Sequence, residues 1–237
     1  MRNVILLWML LLTLMVTACG DRTESLRNGL PSTSALPDTS TTGSKLEEKD
    51  DAIRAIGNHV DGRLLVIPTT KVKASPLGAP SCWGLETDFR WSGDYELVWE
   101  SKSGEHSTKV MKFPMDFEIV QPNDSPIEMQ QFTLEGTDIF AFVPRYTDCH
   151  ALETYLYGVS NNEAFPISFE INSDEIWTHI GQLSSRSLQA INGELIVTGG
   201  YGAGQDFIEI YHFQYDLMKK TMVLKSTDYL QPNDILK

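Results

Sequence analysis

The stretch DIFAFVPRYTDCHALETYLYGVSNNEAFPISFEI, Asp138–Ile171, decides the fold. It opens on a run, Asp138–Pro144, that is rich in apolar, aromatic and β-branched residues, and Pro144 bars a helix from continuing through it. A polar loop through Asp148 follows, then a second run from Cys149 to Val159. Ser160-Asn161-Asn162 supplies a turn, because asparagine tolerates the left-handed backbone that tight hairpins require. Ala164–Ile171 completes a strand–loop–strand–turn–strand unit.

The same layout appears on either side of this stretch. Upstream, Arg63–Pro68 is followed by a polar loop through Ser81, then Cys82–Trp91, a Ser92-Gly93-Asp94 turn and Tyr95–Ser101. Downstream, Glu194–Thr198 leads through a glycine-rich loop to Phe207–Tyr215 and then Thr221–Ser226. Lys109–Val120 and Met129–Leu134 add strands between the first two units. Only Leu46–Gly57 reads otherwise. Ser44 suits an N-cap, acids fill the first turns, Ile53 and Ile56 share a face and Gly57 ends the segment, which predicts a short amphipathic helix.

The expected class is therefore all-β with one short N-terminal helix. Its meander units would assemble as an irregular or partial β-propeller, with a β-sandwich as the alternative. The third unit, with Glu194-Leu195-Ile196-Val197-Thr198-Gly199-Gly200 followed by Phe207-Ile208-Glu209-Ile210-Tyr211, is similar to a kelch-type blade over residues 194–226.

At the N-terminus, Met1-Arg2-Asn3 precedes an apolar run from Val4 to Val16 and the small residues Thr17 and Ala18. The run is shorter than the roughly 20 residues that a spanning helix needs, and it fits a cleaved export signal. Val16-Thr17-Ala18-Cys19 resembles the lipobox of bacterial lipoproteins. The resemblance implies that residues 1–18 are removed and that Cys19 carries a diacylglyceryl lipid, including a palmitate-type acyl chain, on the extracytoplasmic face of the membrane. Residues 19–45 then form a tether. Pro31–Ser44 is a Ser/Thr/Pro spacer with too little to bury to repay the entropy of ordering. Residues 46–237 form the globular domain.

The 237-residue chain carries a net charge of −13, and loss of residues 1–18 removes only Arg2 from the charged set. Such acidity repels nucleic acid and anionic headgroups, which excludes nucleic-acid binding and holds the domain off the membrane surface.

Outside the reducing cytosol, Cys82 and Cys149 are candidates for a disulfide. Both open the second strand of their unit, and equivalent positions on adjacent units can approach within the roughly 4.4–6.8 Å Cα separation of a bridge. The densest set of functional side chains is Val143–Glu153. Arg145 can hold an anion there, and Asp148 or His150 can transfer protons. The plainer alternative is a loop in which Arg145 pairs with Asp148. His150 and Glu153 point to opposite faces if the segment is a strand, so no metal site is expected.

Gly199-Gly200-Tyr201-Gly202-Ala203-Gly204 lacks both phosphate-loop spacings and precedes a strand rather than a helix. Its glycines are read as supplying positive φ, with Tyr201 displayed. No catalytic-elbow, zinc-helix, paired-cysteine or cofactor motif is present. Of Trp83, Trp91, Trp99 and Trp177, strand tryptophans belong in the core more often than on a glycan platform. If the units align, the loops at 69–81, 144–148 and 199–206 share a rim lined by Arg145, Tyr146, Asp148, His150 and Tyr201. These features suggest a membrane-tethered domain that binds an envelope protein, peptide or glycan, without enzymatic activity. The alternative is an envelope hydrolase working from the same rim.

Overall fold

Alternation along Thr137–Ser160 sends side chains to two separate cores, and the architecture follows from this. A computed structural model of the chain describes residues 52–104, 107–147, 150–202 and 204–234. These belong to the unit Leu46–Lys237. Eight strands come first: β1 (Ala55–His59), β2 (Gly62–Pro68), β3 (Lys73–Pro76), β4 (Phe89–Gly93), β5 (Tyr95–Ser101), β6 (Ser107–Lys112), β7 (Phe117–Gln121) and β8 (Ile127–Glu128). Ten more follow: β9 (Gln130–Leu134), β10 (Thr137–Thr147), β11 (Ala151–Ser160), β12 (Glu163–Asn172), β13 (Glu175–Trp177), β14 (Ile180–Gln182), β15 (Gln189–Ile191), β16 (Glu194–Thr198), β17 (Ile208–Asp216) and β18 (Thr221–Leu230). The protein is all-β. Among the described residues the only helical element is a 3₁₀ turn at Pro232–Asp234, and no helix is long and apolar enough to cross a membrane.

The largest sheet runs in the order β15-β16-β17-β18-β12-β11-β10-β9 and curls into a nearly closed, barrel-like surface. Its two edges are bridged by Gln130, whose side-chain Nε2 donates to the Leu188 carbonyl at 3.1 Å. Closure of this kind removes the exposed edges that invite aggregation. Three two-residue hairpins shape the sheet, at Glu135-Gly136, Asn161-Asn162 and Asn192-Gly193, each with both residues at positive φ.

Ile139 and Ala141 of β10 and Leu156 of β11 face inward, where they join Phe169, Leu195, Val197, Phe213 and Met222. Phe140, Phe142, Tyr155, Tyr157 and Val159 face the other way. They are covered by the five-stranded sheet β6-β5-β2-β1-β8 and the three-stranded sheet β3-β4-β7, which contribute Leu64, Trp91, Tyr95, Leu97, Trp99 and Phe117, with Phe113 from the connection between β6 and β7. Phe113 and Phe117 stack at 4.5 Å, and Tyr155 meets both edge-on.

Several sequence expectations are corrected. The helix expected over Leu46–Gly57 is absent from its described portion. Residues 52–54 are non-helical and Ala55–His59 is β1, paired antiparallel with β2 and parallel with β8; residues 46–51 lie outside the described set. Gly57 is not a helix stop. A Cβ there would sit 2.7 Å from Phe140 Cδ1, so the glycine lets β1 approach the aromatic core.

The first unit is not a single meander, because β2 pairs directly with β5 while β4 joins β3 and β7. The second and third units are meanders. Parallel pairing of β12 with β18 fuses them into one sheet, so they are not separate propeller blades. Cys82 does not open a strand. It sits in a tight turn closed by reciprocal backbone bonds between Ser81 and Gly84.

Candidate site at the tip of the β10–β11 hairpin

The hairpin formed by β10 and β11 changes register between Phe142 and Arg145, at Val143-Pro144. Proline has no N–H to give the ladder, and a bulge is where a strand accommodates it. Beyond the bulge Arg145 lies opposite Glu153, Tyr146 opposite Leu152 and Thr147 opposite Ala151. The shift turns Arg145 toward the packed side of the hairpin.

Arg145 Nε donates to Glu153 Oε2 at 3.0 Å, and Nη1 donates to the Glu118 carbonyl at 3.2 Å. Its guanidinium also lies over the rings of Trp83 and Phe117, at 4.6 and 5.3 Å. Tyr155 completes the cluster by donating its hydroxyl to Glu153 Oε1 at 2.5 Å. Burial, then the bond to Glu153 and its charge, push the Tyr155 phenol well above its ordinary pKa, and Arg145 opposes the shift. Glu153 is 5% exposed, so its charge is tolerated because both oxygens are bonded. Arg145 thus pairs with Glu153 and belongs to the framework of the site.

Two hollows flank the hairpin tip. The first, about 470 Å³, is lined by Cys82, Gly84, Leu85, Asp88, Pro122 and Tyr146, among others. Leu85 is 66% exposed and Tyr146 40%. Trp83, adjacent to Cys82 and over Arg145, is 41% exposed. Asp88 braces the loop by accepting the Leu85 N–H at 2.9 Å. Cys82 is disulfide-bonded. Its candidate partner Cys149 lies outside the described residues, as do Asp148 and Cys19.

The second hollow, about 760 Å³, has His150, Trp177, His179, Gly200, Gly202 and Gln205 in its lining. The His150 carbonyl accepts the Tyr201 N–H at 3.1 Å, and the His179 ring packs on Tyr155 at 5.1 Å. The glycine loop differs from expectation in its reason. Among its described glycines only Gly204 has positive φ. Gly200 and Gly202 are glycines because a Cβ would fall 2.6 Å from the Ala151 Cβ and 2.9 Å from the His150 ring. The loop is pressed onto the hairpin tip.

The structure therefore puts His150 in the lining of the second hollow and Tyr146 in that of the first, ties Tyr201 to His150 through a backbone bond without bringing it into either lining, and leaves Arg145 half-buried beneath. Trp91 and Trp99 are core residues. Leu85 and His179 were not singled out by the sequence. His179 arrives on the short connection between β13 and β14, whose periodicity is too brief to read. Leu85 had no marker beyond its place three residues after Cys82.

The described residues of the second hollow bring imidazoles, hydroxyls and an amide, but no carboxylate. No group of three His, Cys, Asp or Glu among the described residues is arranged to hold a metal. The chain matches no known family model, no curated protein and no solved structure.

Proposed function

We propose that this is a lipid-tethered binding domain on the extracytoplasmic face of a bacterial membrane, engaging an envelope protein, peptide or glycan at the tip of the β10–β11 hairpin. The observation that carries the proposal is the exposure of Leu85, Tyr146 and Trp83 around the first hollow. Large apolar side chains grouped on the surface of an acidic protein mark an interaction site.

The group is also rigid. Cys82 is held by its disulfide, Asp88 ties the Leu85 backbone, and Arg145 supports Trp83 from beneath. Aromatic anchors fixed before contact lose little entropy on binding. The lipid on Cys19 and the Ser/Thr/Pro spacer would give the domain reach from the membrane.

Proximity labelling from the intact cell surface tests this, comparing the native protein with a Leu85→Ser/Tyr146→Ala double variant. The variant is expected to lose its labelled partners with its melting temperature nearly unchanged, since both side chains are exposed. Undiminished labelling would overturn the proposal. Arg145 is unsuitable for this test because its loss damages the fold.

A further inference from the structure

We propose that the first hollow at the hairpin tip takes a lysine side chain of a partner polypeptide, with the alkyl stem on its apolar lining and the ammonium on Asp88. The inference rests on the reading of this hollow as the interaction site, and it narrows the partner to one class. Leu85, Pro122 and Tyr146 give the hollow its apolar lining, and Asp88 lines it beside them.

Asp88 carries a charge that nothing in the fold answers. It is 9% exposed, and carboxylates so deeply buried are normally paired. Among the described residues no cation lies within ion-pair distance of it. The two arginines of this region are engaged elsewhere, Arg90 with Glu118 at 3.6 Å and Arg145 with Glu153 at 3.0 Å. Asp88 Oδ2 accepts the Leu85 N–H at 2.9 Å. Oδ1 takes no hydrogen bond from a described residue, yet it is not among the polar atoms sealed from solvent. One carboxylate oxygen thus stays accessible on a residue that lines an apolar hollow.

The surroundings are shaped to this carboxylate. A Cβ on Gly84 would fall 2.6 Å from Asp88 Oδ2 and 3.0 Å from Val120 Cγ1, so only glycine lets the loop press so closely on it. With Oδ2 committed, a single acceptor remains. An ammonium can use one acceptor, whereas a guanidinium is matched best by two, which favours lysine over arginine. Leu85 and Pro122 suit a four-carbon stem, and the half-exposed Tyr146 ring suits the cation beyond it. The net charge of −13 draws a cationic partner in. A neutral glycan would leave Asp88 uncompensated.

The test is a titration of the full-length protein with acetyl-Ala-Lys-Ala-amide, followed on isotope-labelled leucine methyls by NMR, with norleucine or glutamate in place of the lysine as controls. The lysine peptide is expected to shift the Leu85 methyls saturably, about tenfold or more tighter than either control. Asp88→Asn keeps an acceptor for the Leu85 N–H and should weaken the lysine peptide about fivefold or more, leaving norleucine unaffected. On the native protein, added salt should weaken lysine and spare norleucine, a readout that needs no variant. No saturable shift with millimolar lysine peptide would overturn the proposal, as would norleucine binding equally well or lysine affinity indifferent to both Asp88→Asn and salt. These failures are distinct from failure of the function proposed above. If the Leu85→Ser/Tyr146→Ala variant loses its labelled partners while lysine binding ignores Asp88, only the present inference falls; if lysine binds through Asp88 while labelling is undiminished, only the function does.

Discussion

Replacing Arg145 with methionine tests the framework at the hairpin tip most directly. The substitution keeps much of the apolar stem but strands Glu153, which is 5% exposed and keeps only the Tyr155 hydroxyl as a described side-chain donor. Removing one member of a buried ion pair costs about 3–5 kcal/mol. Here Arg145 retains 17% side-chain exposure and Glu153 keeps one donor, which places the pair's loss at the lower end. The donor lost to the Glu118 carbonyl adds about 1 kcal/mol. The contacts over Trp83 and Phe117 add about 0.5–1 kcal/mol each. These contributions overlap, and the expected total is about 3–5 kcal/mol.

A urea titration followed by tryptophan fluorescence reads this as a lower midpoint at unchanged slope. By calorimetry it is a fall of roughly 10 °C, given about 2–4 °C per kcal/mol for a domain of this size. The companion variant Arg145→Met/Glu153→Gln leaves no unpaired charge and should recover about 2 kcal/mol of the loss. A single variant within about 1 kcal/mol of the native protein would refute the reasoning. A double variant no better than the single would show that the cost lies in packing rather than in the stranded carboxylate.

Three further outcomes are expected. Cys82 should appear joined to Cys149 in peptide maps of the unreduced protein, and reduction should cost up to about 4 kcal/mol because the bridge would close a loop of 67 residues; a Cys82 that alkylates without reductant would contradict this. Stability should fall above pH 10, because Tyr155 and Tyr157 have pKa values raised above the 10.0 of the unfolded chain. Tyr211 and Tyr215 are raised as well; the contribution of each is complete below that pH and is lost above it at up to about 1.4 kcal/mol per pH unit per tyrosine, so Tyr155→Phe should lower the slope seen by urea denaturation in alkaline buffers by about a quarter. Gly62→Ala should destabilise by about 2–3 kcal/mol, since its Cβ would lie 2.4 Å from the Glu100 carbonyl oxygen, whereas Gly104→Ala, with nothing within 4 Å, should cost about 1 kcal/mol from its positive φ alone.

The strands were legible where alternation ran for five residues or more and a turn closed it. Tyr95–Ser101 and Glu194–Thr198 appear at the boundaries read from sequence, and the Asn161-Asn162 hairpin follows from residues that accept a left-handed backbone. Ala55–His59 was misread because an acidic lead-in, two isoleucines and a glycine resemble a helix. Pairing with β2 and β8 overrode that local preference. The meanders were legible, but their fusion through β12 and β18 was not, since residues 168 and 221 meet without any local signature.

Tyr146 and His150 were singled out from the dense Val143–Glu153 set and Tyr201 from the glycine-rich loop, and the structure places the first two at the hairpin tip and bonds the Tyr201 backbone to His150. The role of Arg145 was not legible, because its partner Glu153 becomes a cross-strand neighbour only after the Val143-Pro144 bulge shifts the register. The loop glycines looked like conformational switches, but Gly200 and Gly202 answer to how closely two loops meet.

The two-faced character of β10 and β11 has a consequence for how the chain comes to be folded. Synthesis proceeds from the N-terminus, so the sheets built from residues 55–128 emerge before the surface that covers them. Until residues 137–160 arrive, Leu64, Tyr95, Leu97, Trp99 and Phe117 have no opposing layer. Loop-closure entropy must be met before such distant contacts are rewarded. The nascent molecule therefore passes through an interval with a broad aromatic face open to neighbours, and the second half of the chain acts in effect as its intramolecular chaperone. Truncation after β8 should yield an aggregating fragment rather than a smaller domain, because the front half never owns a complete interior.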